Sequence, residues 1–339
     1  MKIGLNSWTV GGWGLALPNG LEGVLSVASE LGYDGVELVY DDEKYSPDKI
    51  GRQDRLHILE FASSYNISIP SIATGVFWKY NLASPSESER NMALSLLKRG
   101  LELAADLNSE TLLVVPAVAR PSVGYRETYN NALSSMTKAA RWAEDLGVTI
   151  GLENVWNRFL YDPSSYRRFI EDVGSDAVGL YFDVGNVLEI SPFEHWLEVL
   201  GDMIVLIHAK DYDMNSRGPG GFRLIGRGSV DWGSFVKSLR SIGYGGFLNV
   251  ETPPEFMKPP ASIVYPQDGV EAARIRYSVH QLRALLVNCN RKRGRWYRDV
   301  QDQFVARECA RRPRIGADCR GGHLRLGRRP ELGTQAAER

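Results

Sequence analysis

The chain of 339 residues is 43% apolar and carries a formal net charge of −1 at pH 7. A chain of this size can bury a sizeable core, either as one large domain or as two smaller ones. No apolar run approaches the roughly 20 residues that span a bilayer, and the N-terminus lacks the layout of a signal peptide, so we expect a cytoplasmic protein without a membrane segment.

Charge is unevenly distributed along the chain. Residues 291–339 contain 14 Lys and Arg against 6 Asp and Glu, whereas the residues before them contain 26 against 35. The acidic body offers no electrostatic footprint for specific nucleic-acid binding. The Arg-rich end shows little apolar periodicity, and all three cysteines, Cys289, Cys309 and Cys319, lie within it or just before it. We therefore expect a disordered extension over 288–339, and neither disulfides nor cysteine catalysis in the body.

Short β-rich runs alternate with longer helical patterns along the body, in eight pairs. The predicted strands are 3–7, 35–39, 68–74, 111–116, 149–153, 179–183, 204–208 and 247–251. The predicted helices are 21–31, 48–65, 87–107, 126–146, 164–173, 192–200, 232–242 and 270–286. Ser84-Pro85 and Asp162-Pro163 resemble N-terminal caps followed by proline. Most of the strands are continuous apolar runs, which is typical of parallel strands covered on both faces.

Eight such pairs predict a (β/α)8 TIM barrel over residues 1–287. The competing fold is an open doubly wound sheet. That fold is disfavoured because the first predicted strand is not followed by the Gly-rich, dinucleotide-binding turn that leads into a helix in such folds.

In TIM barrels the active site lies at the carboxyl ends of the strands, so the polar residues there are the first candidates for function. Four consecutive predicted strands end in an acidic residue or a histidine, namely Glu153, Asp183, His208 and Glu251. Three clustered carboxylates repel one another, and a divalent cation at their centre would neutralise them. The alternative is that each is an ordinary helix cap or structural histidine, which explains each position but not their coincidence.

Together these features resemble the sugar phosphate isomerase/epimerase superfamily of xylose isomerase-like barrels, which includes ketose 3-epimerases and inosose dehydratases. The resemblance covers residues 1 to about 287. Besides the four strand ends, it rests on residues 32–38 (GYDGVEL), 83–86 (ASPS), 101–107 (LELAADL) and 226–232 (GRGSVDW).

The resemblance implies one divalent metal ion bound by Glu153, Asp183, His208 and Glu251. The oxygen-rich ligand set favours Mn²⁺, Mg²⁺ or Co²⁺, and Zn²⁺ is also compatible. It also implies that Glu153 and Glu251 lie on opposite sides of the substrate, where one removes a carbon-bound proton and the other returns one. One departure concerns Asn186, because the family often has His three positions after the aspartate. We expect Asn186 to orient the substrate, or else to be only a turn residue.

Further candidates for contact with the substrate lie on the same face of the predicted barrel. Glu37 ends the second strand, Asn6 and Trp8 follow the first, and Lys210 follows the seventh. Lys210 would either neutralise a developing oxyanion or form an ordinary ion pair with Asp211.

The leading hypothesis is a metal-dependent isomerase or epimerase of a sugar or polyol, with a homo-oligomer as its expected assembly. A dehydratase of an inosose or dehydroshikimate-like compound is the second hypothesis, because both reactions begin with abstraction of a proton beside a carbonyl. A third is a barrel that binds sugar without turning it over. The other histidines fall in predicted helices or in the Arg-rich end, which favours a mononuclear site over a trinuclear nuclease.

Overall fold

The computed structural model describes residues 1–11, 20–252 and 270–287, and within them eight parallel strands close into a barrel. Going around the barrel, the strands follow one another in chain order. They are β1 (Lys2–Asn6), β2 (Gly35–Tyr40), β3 (Ser71–Thr74), β4 (Thr111–Val114), β5 (Thr149–Glu153), β6 (Val178–Asp183), β7 (Ile204–Ala209) and β10 (Phe247–Val250). The predicted TIM barrel is confirmed. The predicted tail, 288–339, and the three cysteines lie outside the described residues.

Helices connect the strands much as the sequence predicts. They are α1 (Gly20–Leu31), α2 (Arg52–Ser64), α3 (Val76–Lys79), α4 (Glu87–Asp106), α5 (Tyr125–Leu146), α6 (Pro163–Val173), α7 (Val184–Val187), α8 (Phe193–Leu200), α9 (Trp232–Ser241) and α10 (Val270–Val287). Across the described ranges, every helix is too short or too polar to cross a membrane.

Helix starts differ from the prediction where a better cap lies nearby. Asp162 caps α6 as predicted, accepting the N–H of Ser165 at 2.9 Å. The cap of α4 is Ser86 rather than Ser84, because Ser84 Oγ instead donates to Glu89 at 2.7 Å. Helix α2 begins at Arg52 rather than at residue 48, because residues 46–50 form a turn that precedes the cap at Gly51.

The barrel interior mixes apolar packing with buried polar groups. Ala73, Leu113, Tyr181 and Leu206 form an apolar cluster there. Glycine leaves room for the polar groups, since a Cβ on Gly4 would lie 1.9 Å from the side-chain oxygen of Asn249. Likewise a Cβ on Gly151 would lie 2.9 Å from the Tyr181 ring. The strand glycines therefore admit Tyr181 and Asn249 beneath the carboxyl ends of the strands.

A two-stranded hairpin that the sequence analysis did not predict follows β7. Its strands, β8 (Asp211–Tyr212) and β9 (Phe222–Arg223), pair antiparallel. The buried Asp211 carboxylate holds the segment that follows the hairpin. It accepts the N–H groups of Gly226, Gly228 and Val230 and the indole N–H of Trp232, at 2.8, 3.0, 3.2 and 2.9 Å. The predicted motif at 226–232 is thus a loop wrapped around one carboxylate.

We expect Asp211→Asn to destabilise the protein by about 2 to 3 kcal/mol, because an amide nitrogen would face donors that now bond to a carboxylate oxygen. Urea unfolding measures the loss. Asp106→Asn is the control. Asp106 forms an ion pair with Arg55, but its side chain is 59% exposed. Exposed ion pairs contribute about 0 to 1 kcal/mol to the free energy of unfolding. Equal effects of the two substitutions would contradict the role given to Asp211.

Candidate metal centre

Four neighbouring strands of the barrel bring together the four side chains that the sequence predicts as metal ligands. Glu153 is the last residue of β5, Asp183 the last of β6, and His208 the next to last of β7, while Glu251 directly follows β10. Asp183 and His208 are register partners. One ligand atom from each of the four residues can be chosen so that all four atoms lie within 4.8 Å of one another.

The imidazole of His208 lies at the centre of this group. Its Nδ1 atom is 3.2 Å from Glu153 Oε1, 3.4 Å from Glu251 Oε2 and 3.8 Å from Asp183 Oδ2. Its other nitrogen, Nε2, points away from them and lies 2.7 Å from Glu37 Oε1. One nitrogen therefore faces the three carboxylates and the other faces the barrel interior.

Lys210 supplies a second positive charge at the same place. Its Nζ atom lies 2.8 Å from Asp183 Oδ2 and contacts Glu251 Oε2. The predicted alternative, an ion pair between Lys210 and Asp211, is wrong, because Asp211 faces the backbone of residues 226–230. The Phe222 ring, from the hairpin, lies with its centroid 4.8 Å from Nζ. Lys210 thus belongs to the acidic cluster and is covered by an aromatic side chain.

Burial and neighbouring charges set the pKa values of the cluster in different directions. Burial raises the pKa of Glu153 to about 7, helped by the charge of Glu251. Burial would also raise the pKa of Glu251, but His208 and Lys210 outweigh that effect and lower it. Burial would lower the pKa of His208, yet the charges of Glu251 and Glu37 raise it well above its usual range. The protein alone thus makes the two glutamates chemically unequal.

Asparagine side chains fix the ends of β5 and β6 beside the cluster. Asn154 Oδ1 accepts the N–H of Asp183 at 2.8 Å, and its Nδ2 donates to the carbonyl of Asp183 at 2.9 Å. Asn186 Nδ2 donates to the carbonyl of Asn154 at 3.1 Å, and its own N–H donates to Asp183 Oδ1 at 2.9 Å. Asn186 therefore holds the loop carrying Asp183, which agrees with the turn role weighed for it.

The remaining predicted candidates differ in how far they are exposed. Asn6 is buried, with Nδ2 donating to Glu37 Oε1 at 2.6 Å and Oδ1 accepting the N–H of Trp8 at 2.7 Å. Trp8 itself is 40% exposed. Glu37 is fully buried and is hydrogen-bonded to Asn6, Ser71, Tyr181 and His208. Asn6 and Glu37 thus lie behind His208, whereas Trp8 is accessible from solvent.

Sequence reasoning missed the polar residues beneath the cluster. Tyr181 and Ser71 both donate to Glu37, the serine at 2.7 Å. Asn249 donates to both of their hydroxyls. A signal for two of them was present, because Tyr181 and Asn249 lie two residues before Asp183 and Glu251 and so face the same side of their strands.

The donor set fits a divalent cation. Two ligands about 2.1 Å from one ion lie at most about 4.2 Å apart, so shifts of a few tenths of an ångström would bring these atoms into one coordination sphere. Asp183 Oδ2 is buried and accepts no well-directed hydrogen bond, although Lys210 Nζ lies 2.8 Å and His208 Nδ1 3.8 Å from it. Three carboxylates and one imidazole suit Mn²⁺, Mg²⁺, Co²⁺ or Zn²⁺.

Known proteins resemble this chain in both sequence and fold. It is 27% identical over 258 residues to the uncharacterized protein MJ1311 of Methanocaldococcus jannaschii, covering 74% of this chain and 83% of that protein. It is 24% identical over 258 residues to L-ribulose-5-phosphate 3-epimerase UlaE of Escherichia coli O157:H7, covering 73% of this chain and 88% of the relative.

Solved structures share the fold. A D-tagatose 3-epimerase-like protein superimposes with a TM-score of 0.69 at 23% identity, covering 86% of this chain and 98% of that one. The IOLI protein with a bound zinc atom gives a TM-score of 0.69 at 19% identity, covering 86% of this chain and 100% of that one. The family model for xylose isomerase-like TIM barrels matches residues 25–271. The chain therefore belongs to the xylose isomerase-like TIM barrel family.

Proposed function

We propose that the protein is a divalent-metal-dependent epimerase or isomerase of a ketose or related polyol, in which Glu153 and Glu251 transfer the protons. The observation that carries the proposal is the convergence of Glu153, Asp183, His208 and Glu251, whose ligand atoms lie within 4.8 Å of one another. Relatives named as 3-epimerases of L-ribulose 5-phosphate support the reaction class. A general carbohydrate epimerase or isomerase activity follows from those relatives.

The two glutamates differ in their surroundings before a cation binds. Burial raises the pKa of Glu153, whereas the pKa of Glu251 is lowered because His208 and Lys210 outweigh the effect of burial. We assign Glu251, which Lys210 contacts, to accept the proton from a carbon atom, and Glu153 to return one. When bound, the metal would polarise the substrate carbonyl and the neighbouring hydroxyl. It would thereby acidify the C–H bond of the carbon that carries this hydroxyl. Inversion follows when the proton returns to the opposite face.

Lys210 is placed to assist this chemistry. Its ammonium group lies beside the same carboxylates, where it would stabilise negative charge developing on a substrate oxygen. We propose Trp8, which follows β1 and is 40% exposed, as an apolar contact for the C–H face of a sugar. Asn186 is hydrogen-bonded to Asp183 and to the backbone of Asn154, and Asn6 is hydrogen-bonded to Glu37. We therefore assign both asparagines a role in fixing the geometry of the site rather than in contacting the substrate.

The proposal leaves other predictions in place. The ion is Mn²⁺, Mg²⁺ or Co²⁺, with Zn²⁺ the alternative that the zinc-bound IOLI neighbour illustrates for its own site. The partner is a small sugar or polyol, as the 3-epimerase relatives suggest, and the acidic body does not favour nucleic acid. The domain boundary near residue 287, the cytoplasmic location and the homo-oligomer stay predictions.

The proposal predicts one divalent ion per chain. An ion at about 100 times its dissociation constant stabilises a protein by about 2.7 kcal/mol, which should raise the thermal midpoint by about 5 to 10 °C. Asp183→Asn should weaken Mn²⁺ binding more than about 100-fold, since even the loss of an outer hydrogen-bond partner typically costs 10- to 100-fold. Titration calorimetry measures the Mn²⁺ affinity of the parent protein and of the Asp183→Asn variant, and thermal unfolding measures the midpoint.

The matched control is Glu189→Gln. Glu189 is also an acidic residue of the loop after β6, but it accepts from Tyr212 and Gly218 rather than joining the cluster. Its substitution should leave the Mn²⁺ affinity unchanged. Equal weakening by both substitutions would argue against a localised site.

The proposal also predicts turnover with proton exchange. Metal-loaded protein incubated in deuterated water with ketoses, free and phosphorylated, should incorporate deuterium at one carbon and yield an epimer. At saturating metal, Glu153→Gln and Glu251→Gln should each lower kcat by about 10²- to 10⁴-fold, the usual contribution of a general acid or base. Mass spectrometry and NMR of the sugar follow both the exchange and the configuration.

Other outcomes of the same assay would point to the rival hypotheses. A new enone absorbance without an epimer would identify a dehydratase. Sugar binding without exchange, in the parent as well as in the variants, would identify a binding protein and would refute the proposed activity.

A further inference from the structure

We infer that Glu37 is a positioning residue that fixes the orientation of His208, so that Nδ1 is the metal ligand and Nε2 carries the proton. The inference rests on the proposed metal site and assigns Glu37 a role other than the substrate contact that the sequence predicts. Its basis is the hydrogen-bond network that surrounds Glu37.

The two nitrogens of His208 have different surroundings. Nδ1 lies between 3.2 and 3.8 Å from carboxylate oxygens of Glu153, Glu251 and Asp183, distances that leave room for a shared cation. Nε2 lies 2.7 Å from Glu37 Oε1, which is a direct hydrogen bond. Nδ1 also lies within hydrogen-bonding distance of a carboxylate oxygen, Glu153 Oε1 at 3.2 Å, but that carboxylate is a proposed ligand of the same cation. Since a carboxylate only accepts, the single proton of the neutral ring belongs on Nε2, which makes the shorter bond. Nδ1 is then free to donate its electron pair to a metal.

Glu37 has no capacity left for a substrate. Oε1 accepts from Asn6 Nδ2 at 2.6 Å as well as from His208, and Oε2 accepts from Ser71 Oγ at 2.7 Å and from the Tyr181 hydroxyl. These four bonds match the four lone-pair positions of a carboxylate. The side chain is also fully buried. Its role is therefore exerted through His208.

The next layer fixes the direction of these hydrogen bonds. Asn249 Nδ2 donates to Ser71 Oγ at 3.0 Å and to the Tyr181 hydroxyl at 2.9 Å. Each hydroxyl has a single proton, and because its oxygen already accepts from Asn249, that proton is available for Glu37. The network thus runs one way, from Asn249 through two hydroxyls to Glu37, which then accepts from the imidazole.

This arrangement strengthens the ligand as well as orienting it. A carboxylate that accepts the second N–H of a metal-bound imidazole makes the imidazole more basic and fixes its ring orientation. Inside the barrel, where the effective dielectric constant is lower than in water, such a bond is electrostatically stronger. Removing the acceptor should therefore weaken metal binding without touching any ligand.

The first test compares three substitutions by Mn²⁺ titration calorimetry. Glu37→Gln preserves the shape but removes the charge, and should weaken Mn²⁺ binding about 10- to 100-fold, as expected for an outer partner of a ligating histidine. Tyr181→Phe removes one donor to Glu37 and should give a smaller loss. The control is Tyr33→Phe, because the Tyr33 hydroxyl is also buried but donates to the carbonyl of Ile275 at 2.8 Å, and its loss should leave the affinity unchanged.

The second test uses the parent protein and needs no substitution. With ¹⁵N-labelled histidine and ¹¹³Cd²⁺ in the site, we expect cadmium coupling to Nδ1 of His208 and a proton on Nε2. Coupling to Nε2, or parent-like Mn²⁺ affinity in Glu37→Gln, would overturn the inference. If both tests succeed while no sugar is turned over, the inference stands and the proposed activity fails. A parent protein that binds no ion overturns both.

Discussion

Mutual repulsion of buried carboxylates is the constraint around which this barrel is built. Glu37, Glu153, Asp183 and Glu251 are each less than one tenth exposed and surround one imidazole. Two like charges 4 Å apart repel by about 4 kcal/mol even at an effective dielectric constant of about 20, so such a group requires positive charge within it. Lys210 supplies one such charge and His208, when protonated, another. A divalent cation at Nδ1 would replace the proton there and, together with Lys210, would offset three of the four negative charges.

The scaffold meets this constraint because it delivers side chains in layers. Strands that adjoin in the barrel place their last inward-facing residues side by side, so neighbours in space come from segments 25 to 43 residues apart in the chain. Beneath them lies a polar layer of Ser71, Tyr181 and Asn249, and glycines leave open the space that Tyr181 and Asn249 occupy. Above them the hairpin brings Phe222 over Lys210 and stacks it on Trp156, with ring planes 2° apart and centroids 5.2 Å apart. The cluster is thus supported from below and covered on one side.

The sequence predicts the repetitive part of this design well and the particular contacts poorly. Strand ends could be found because apolar runs ending in Glu153, Asp183, His208 and Glu251 recur in a fixed order, and a TIM barrel brings such ends together. The partner of Lys210 could not be found, because adjacency in the chain suggested Asp211, whereas the fold turns Asp211 toward a backbone loop. Glu37 was predicted to end the second strand but is the third residue of β2, which continues to Tyr40. Its bonding depends on Tyr181 and Asn249, which lie 144 and 212 positions away in the chain. The hairpin was missed because its strands have only two residues each and show no periodicity.

The central claim is that the four strand-end side chains share a single cation. Anomalous diffraction from crystals grown with Mn²⁺ tests it most directly. The account predicts one strong anomalous peak about 2 Å from oxygens of Glu153, Asp183 and Glu251 and from Nδ1 of His208. A peak elsewhere in the chain, or none at these residues when Mn²⁺ is in excess, would contradict it.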